Sequence, residues 1–405
     1  MPRLRMLMLA PALPWPGTTG GLVRIAALTR QMARHFDVTF LSPRAPGQRL
    51  PGDLEVRFVC PEVRESIAVR RAVALLAPSR PFHVARYAHA EVRHAIRREL
   101  SEQRYDLVYG HFIYCLDDLP VTNVPVVIDQ QNVDREYWRN KADLSRFPVS
   151  AIAKWNARKT IAFENRHLSR IWGYVSVSDE DRERTRAYAD RQVTHFWVAP
   201  NGVDTRRFAP AQTPPRTGRE LTLGYLGSMD LQMNVDAVVR FITRQLPRIR
   251  RALDGTTVKF LVIGSNPSST VRKLADATAG VALSGTVPDV VPWLQAVDIL
   301  VCPLRIGAGT KLKVAEAMSC GLPVVGFPLA FAGLPGRSGE HFVRTDNDDG
   351  FVDAVCRLAG DPCERAALGA AARVLAATHL DWDAIGHRLA GEIGQAVING
   401  RSAFQ

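Results

Sequence analysis

The chain has 405 residues and a mass of 44.7 kDa, room for two domains at roughly 150 residues each. Hydrophobic residues make up 46% and charged residues 23%, which excludes a disordered, collagenous or coiled-coil chain. Lysine and arginine number 52 against 40 acids, a net charge of +12, with 30 basic and 21 acidic residues in 1–200 but 22 and 19 in 201–405. The first half therefore carries most of a positive field that suits nucleic acid, an anionic membrane surface or phosphorylated ligands. Six cysteines form no CxxC pair and no metal-ligand spacing, which fits reduced thiols in a cytoplasmic protein. The sequence has no run of about 18 apolar residues to cross a membrane.

The N-terminus places Arg3 and Arg5 ahead of an apolar run, as a signal peptide does. Pro11, Pro14 and Pro16 break that run and no A-x-A site follows, so the spacing predicts a first strand over Leu4–Leu9. A helix follows over Leu22–Arg34, with Leu22, Ile25, Ala26 and Leu28 near one face. Strands are expected at Val38–Leu41, Leu107–Tyr109, Val124–Ile128 and Gly173–Val177. Helices are expected at Val149–Leu168 and from Ser178, an N-cap ahead of Asp179, Glu180 and Asp181. This alternation predicts a parallel sheet covered by helices on both faces.

Pro200-Asn201-Gly202 and a polar stretch with Pro210, Pro214, Pro215 and Gly218 mark a boundary. Alternation then restarts, with strands at Leu221–Leu226, Val258–Ile263, Val281–Leu283, Ile299–Cys302 and Pro323–Val325. Helices are expected at 234–252, 310–320, 350–360 and 363–378, and a last one from Asp381. The fold class is α/β: two doubly wound, Rossmann-like domains, 1–200 and 201–380, facing across a cleft, then a terminal segment 381–405.

The segment from Arg305 to Val325 reads as strand end, Gly-rich loop, helix, Gly stop and strand. Gly307 and Gly309 let the backbone approach a ligand. The free N–H groups near Thr310 and the helix dipole suit an anion. Arg305 and Lys311 add charge for a diphosphate. Glu316, a turn and a half beyond Thr310, is placed for a ribose diol. Without more, the same segment also reads as a loop and helix that merely pack.

This segment resembles the nucleotide-sugar signature of family-4 retaining glycosyltransferases of GT-B fold. Other segments agree in order. Pro200-Asn201-Gly202-Val203-Asp204 resembles the family's interdomain turn. Leu226-Gly227-Ser228-Met229-Asp230 resembles the first loop of its nucleotide-binding domain. Ser284 to Pro288, with Val287, resembles the strand end against which the base stacks. Gly20-Gly21 resembles the loop facing the donor phosphates, and Asp106 to His111 the strand that delivers an active-site histidine. The resemblance covers nearly the whole chain and implies transfer of a sugar from a nucleotide diphosphate sugar, with retention of configuration. It implies no bound metal and no cofactor. It also implies that the helix Asp381–Ile398 crosses back to the N-terminal domain, and that the cleft closes to assemble the site.

Two positions depart from the pattern. The usual first glutamate, which contacts donor-sugar hydroxyls, is Ala308 here, so backbone groups of Gly307–Thr310 are the substitute. The family's arginine and lysine in the first loop of the second domain are Ser228 and Asn234, so Arg305, Lys311 and Lys313 become the sources of charge for the diphosphate. The chain is similar to a bacterial polysaccharide-type subgroup with Gly-Ser-Met-Asp and Gly-Thr-Lys segments.

A lone histidine is more often structural, but His111 follows a buried strand at its C-terminal end, where doubly wound domains place ligands; the resemblance implies that it hydrogen-bonds a donor-sugar hydroxyl. Gly17 to Gly21 does not spell G-x-G-x-x-G, which argues against a dinucleotide oxidoreductase. Asn132 in the loop Gln130–Asp134 lines the acceptor side, or else makes an Asx turn. Asp346-Asn347-Asp348-Asp349 reads as a solvated turn and helix cap, not a metal site. Residues 64–104 carry nine arginines against four acids, and the stretch from Arg70 to Leu76 is amphipathic and basic. Such a segment suits an anionic membrane and a glycan or lipid-linked acceptor, or else it is a solvated face. No nucleic-acid motif is present. Two alternatives stay open: a transferase tailoring a small soluble metabolite, and a non-catalytic binding protein on the same fold.

Overall fold

The computed structural model describes residues 3–15, 17, 19–63, 80–212, 219–306 and 311–402. The chain divides into two compact units, Met1–Pro200 with Ile385–Gln405, and Asn201–Ala384.

The first unit is built on seven strands: β1 (Arg5–Leu9), β2 (Asp37–Leu41), β3 (Arg57–Val59), β4 (Leu107–His111), β5 (Val126–Gln130), β6 (Gly173–Ser176) and β7 (His195–Val198). They form one parallel sheet in the order β3-β2-β1-β4-β5-β6-β7. The central strands read as continuous apolar runs because helices cover both faces. Met6, Leu7, Met8, Leu107, Val108, Val127 and Ile128 are all buried. The helix Gly20–Met32 follows β1, and Thr19 caps it by accepting from the Leu22 N–H at 3.4 Å. From Ile385 onward the long helix Trp382–Ser402 belongs to this unit, with Ile385, Leu389, Ile393 and Val397 buried.

The second unit holds β8 (Glu220–Leu226), β9 (Thr257–Ile263), β10 (Val281–Leu283), β11 (Ile299–Cys302), β12 (Val324–Gly326) and β13 (Val343–Arg344). Their order is β10-β9-β8-β11-β12-β13, again all parallel. One large core fills this unit, from Leu223 and Tyr225 through Phe260 and Val301 to Val325 and Phe351.

Strand edges differ from the sequence expectation by one or two residues. The expected single helix over 234–252 is three pieces: Gln232–Arg240, a π-helical turn Phe241–Gln245, and Leu246–Ala252. Pro247 has no N–H for the helical ladder, and its ring crowds the carbonyl of Thr243, so the wider turn absorbs it. The sequence expectation does not include strands β3, β7 and β13, which run only two to four residues, or the helices Ala90–Glu102 and Asp134–Leu144, whose residues are mostly polar. Among the described residues no helix is long and apolar enough to cross a membrane.

Candidate active site

In the first unit the site grows from two neighbouring strand ends. His111 and Asp129 are register partners on β4 and β5, so both side chains leave the sheet on one side. His111 Nδ1 lies 3.0 Å from Asp129 Oδ2. The Arg24 guanidinium, one turn into the helix Gly20–Met32, grips the same carboxylate at 2.6 and 3.0 Å and donates to the carbonyls of Ala199 and Pro200 at 2.8 and 3.2 Å. All three side chains are fully buried. Burial opposes ionising Asp129, but Arg24 and the His111 N–H outweigh it and hold the carboxyl at about 2. The charge on Asp129 makes it the acceptor and His111 Nδ1 the donor, so only the ring's Nε2 remains for another partner. That Nε2 has no hydrogen-bond partner among the described residues, and neither does the buried Tyr109 hydroxyl beside it. Next in sequence, Phe112 holds φ at 70°, a conformation that costs a non-glycine residue.

Gly20 is the first residue of its helix. A Cβ at Gly21 would lie 2.8 Å from Gln131 Oε1, so the loop after β5 packs against the helix start. Asn132, expected on the acceptor side, is exposed in that loop.

In the second unit the loops after β8, β9 and β10 interlock. The Gly227 N–H donates to the Ile263 carbonyl at 2.9 Å and the Met229 N–H to the Ser265 carbonyl at 2.8 Å. A Cβ at Gly264 would sit 1.9 Å from the Gly227 carbonyl oxygen, so only glycine permits this approach. Ser228 Oγ donates to Asp230 Oδ1 at 2.6 Å and lies 3.0 Å from Ser265 Oγ. The Gly264 N–H donates to Ser284 Oγ at 3.1 Å, and Val287 is half-buried in the loop after β10.

The helix Leu312–Ser319 delivers a cation to this cluster. Lys313 Nζ donates to Asn234 Oδ1 at 2.7 Å and to the Tyr225 hydroxyl at 2.9 Å, and stands 2.8 Å from where a Cβ on Gly227 would be. Burial pushes its ammonium down to about 8, against the pull of Cys302 and Glu316. Half-buried Glu316, on the same helix, is raised to about 7 by burial, with Arg207 and Lys313 pulling the other way.

Gly307, Ala308, Gly309 and Thr310 lie outside the described residues. Lys311 is buried, and that burial lowers its pKa. Arg305, expected to face a diphosphate, instead donates to Asp348 Oδ1 at 2.7 Å and stacks over Phe327 at 4.8 Å. Asp348 is accordingly not the solvated acid expected: Arg305 and Gln245 hold it, while Asn347 caps the helix Asp348–Gly360. Among the described residues no three His, Cys, Asp or Glu side chains gather as a metal site. Of the basic segment 64–104, residues 64–79 lie outside the described residues. In the remainder Arg80 pairs with Asp117, Arg93 with Asp118 and Arg98 with Glu102.

Sequence reasoning missed Arg24 and Asp129. The available signal was a charged residue inside the apolar stripe Leu22–Leu28 and an acid closing the apolar run from Val124.

Two family models match this chain: "Glycosyltransferase Family 4" over residues 18–207 and "Glycosyl transferases group 1" over 220–361. The chain belongs to glycosyltransferase family 4 and has the GT-B fold. Its curated relatives include two mannosyltransferases. A GDP-mannose-dependent monoacylated alpha-(1-6)-phosphatidylinositol monomannoside mannosyltransferase of Corynebacterium glutamicum is 29% identical over 48% of this chain and 55% of its own. A GDP-mannose-dependent alpha-(1-6)-phosphatidylinositol monomannoside mannosyltransferase of Mycolicibacterium smegmatis is 31% identical over 47% and 54%. The match thus spans about half the length of these relatives. Among solved structures, a sucrose-phosphate synthase from Thermosynechococcus elongatus aligns with a TM-score of 0.70 at 14% identity, over 98% of this chain and 100% of its own. At that identity it speaks for the fold alone.

Proposed function

We propose that this glycosyltransferase moves a sugar from a nucleotide diphosphate sugar to a glycan or lipid-linked acceptor, with retention of anomeric configuration. The observation that carries the reading is Lys313, whose ammonium stands at the joined loops after β8 and β9 where the resemblance leaves a cation missing. In this reading Lys313 and the N–H groups at the start of the helix Leu312–Ser319 meet the diphosphate. They stabilise the charge that develops on the leaving phosphate, the kind of preorganised field that dominates much of catalysis. Lys311 and Arg305 stay candidates for the same anion, Arg305 only once it lets go of Asp348. The Glu316 carboxylate accepts from the ribose diol, and Val287 lies under the base. Gly20-Gly21 and the Nε2 of His111 are assigned to the donor's phosphates and a sugar hydroxyl. The acceptor attacks the same face that the diphosphate leaves, through an oxocarbenium-like state, and no enzyme nucleophile is required. Charge is supplied by side chains and helix N–H groups, so no metal is assigned.

The names of the two relatives make GDP-mannose the first donor to test and a phosphatidylinositol mannoside the first acceptor. A calorimetric titration of nucleotide sugars identifies the donor. Lys313→Met, Lys311→Ala and Glu316→Ala are each expected to weaken it by about 1–3 kcal/mol, the range of a charge-assisted hydrogen bond. Transfer should persist in EDTA, and proton NMR of the product should show the donor's own anomeric configuration. Wild-type protein that binds no nucleotide sugar would end the transferase reading.

A further inference from the structure

The helices Asp134–Leu144 and Val149–His167 form a pair that follows directly on β5, the strand that ends with Asp129 and Gln130. The turn and the start of the second helix leave large apolar side chains in solvent: Phe147 is 84% exposed, Val149 48%, Ile152 45% and Trp155 40%. Val149, Ile152 and Trp155 recur every third residue, so they are neighbours along one row of the helix surface. Single exposed apolar residues need no explanation, but a contiguous group does.

The charge around this row is one-sided. Residues 137–159 carry Arg139, Lys141, Arg146, Lys154, Arg158 and Lys159 against a single acid, Asp143. Arg146, Lys154 and Arg158 are exposed, and none forms an ion pair among the described residues. Lys159 Nζ lies 3.7 Å from the Trp155 ring centroid, so the indole itself sits beside a cation. A second copy of the chain on this face would bring the two positive surfaces together. Of the six described arginines of 80–104, by contrast, three, Arg80, Arg93 and Arg98, pair with acids of their own unit.

We propose that Phe147, Val149, Ile152 and Trp155, ringed by Arg146, Lys154 and Arg158, form the surface that rests in the headgroup layer of an anionic lipid bilayer. Aromatic and aliphatic side chains enter the headgroup boundary while the cations meet the lipid phosphates. The inference rests on the lipid-linked acceptor of the proposed function and is independent of the donor. It also sets the lipid surface at a helical pair that starts beside the strand ends of the site, the side from which a lipid-linked acceptor would arrive.

The test is flotation of the full chain with phosphatidylcholine vesicles with or without phosphatidylglycerol. Binding is expected only with the anionic lipid, and it should weaken with salt. The variant Phe147→Ser/Ile152→Ser/Trp155→Ser should lose at least about tenfold in partition. Arg146→Ser/Lys154→Ser/Arg158→Ser should lose roughly fivefold for each cation removed, while Arg97→Ser/Arg98→Ser should bind as the wild type does. Trp155→Phe, a change that a fold tolerates, should remove a component of the tryptophan emission that brominated lipid quenches. Donor affinity should be unchanged in every variant. Wild-type protein indifferent to anionic vesicles, an apolar variant that still floats, or quenching unaltered by Trp155→Phe would each overturn the proposal. So would a wild-type dimer that the apolar variant splits, which would give the face to a second copy. If vesicles bind but no nucleotide sugar does, this surface stands and the transferase reading falls.

Discussion

His111 takes its orientation from a carboxylate that is itself clamped by a guanidinium. Arg24 and Asp129 are both fully buried, and each satisfies the other's charge. Such a pair is costly to create and costlier to break, because removing one partner leaves a naked charge in the interior. Asp129→Asn is therefore expected to lower unfolding free energy by about 3–5 kcal/mol, measured by denaturant titration. Arg24→Met combined with Asp129→Asn should recover much of that loss, since no uncompensated charge then remains. Two single variants that each match the wild type would show that the clamp contributes nothing. At this scale the sequence was half legible. The histidine at a strand's end could be read from its position, whereas its partners lie 18 and 87 residues away and meet it only through β4–β5 register and the packing of the first helix.

At the level of elements, the helix Leu312–Ser319 concentrates the second unit's chemistry, and burial tunes its two ionisable groups toward neutral pH. Glu316 is raised to about 7 and Lys313 lowered to about 8. Donor binding in this reading needs the carboxylate ionised and the ammonium protonated. Affinity should therefore rise as pH climbs through about 7, fall as it climbs past about 8, and peak between. A bound diphosphate favours the ammonium, so binding near pH 8 should take up a proton, and the calorimetric enthalpy should change with the ionisation heat of the buffer. Lys313→Met should abolish that uptake. The sign for stability is opposite to that for binding. A lysine whose folded pKa lies below its unfolded value lowers stability as pH falls from about 10.5 to about 8, and the cost persists below. The free Lys313→Met protein should thus be at least as stable as the wild type at pH 7 while binding donor more weakly. A pH-independent affinity between 6 and 9 would detach both groups from the donor. The sequence showed the motif but not this tuning. Asn234 looked like a lost lysine with three candidate replacements, Arg305, Lys311 and Lys313, and only the structure singles out Lys313, whose Nζ meets the Asn234 amide oxygen from 79 residues further on. The Gly-rich loop itself, Gly307–Thr310, was the clearest signal in the sequence and lies outside the described residues.

For the molecule as a whole, the two alternating halves were legible because parallel strands are continuous apolar runs and helices between them are amphipathic. The destination of the last helix is not legible in its own residues, since its apolar stripe says that it packs but not on what. The described contacts are specific. A Cβ at Gly386 would lie 2.2 Å from Gln31 Cβ, whereas a Cβ at Gly391, five residues on, meets no heavy atom within 4 Å. In a helix interior, alanine ordinarily gains up to about 1 kcal/mol over glycine. Gly391→Ala should show that gain. Gly386→Ala should show the reverse, a loss of about 1–3 kcal/mol, because Gln31 is buried and the clash falls near its backbone rather than at a flexible tip. The loss should appear as a lower midpoint for the calorimetric transition of the unit that holds the helix from Ile385 onward. A nucleoside diphosphate at a hundred times its dissociation constant should add about 2.7 kcal/mol to the other unit's transition, if the donor diphosphate is held there. Equal and positive effects of alanine at both glycines would mean that the helix does not pack on Gln31 in solution.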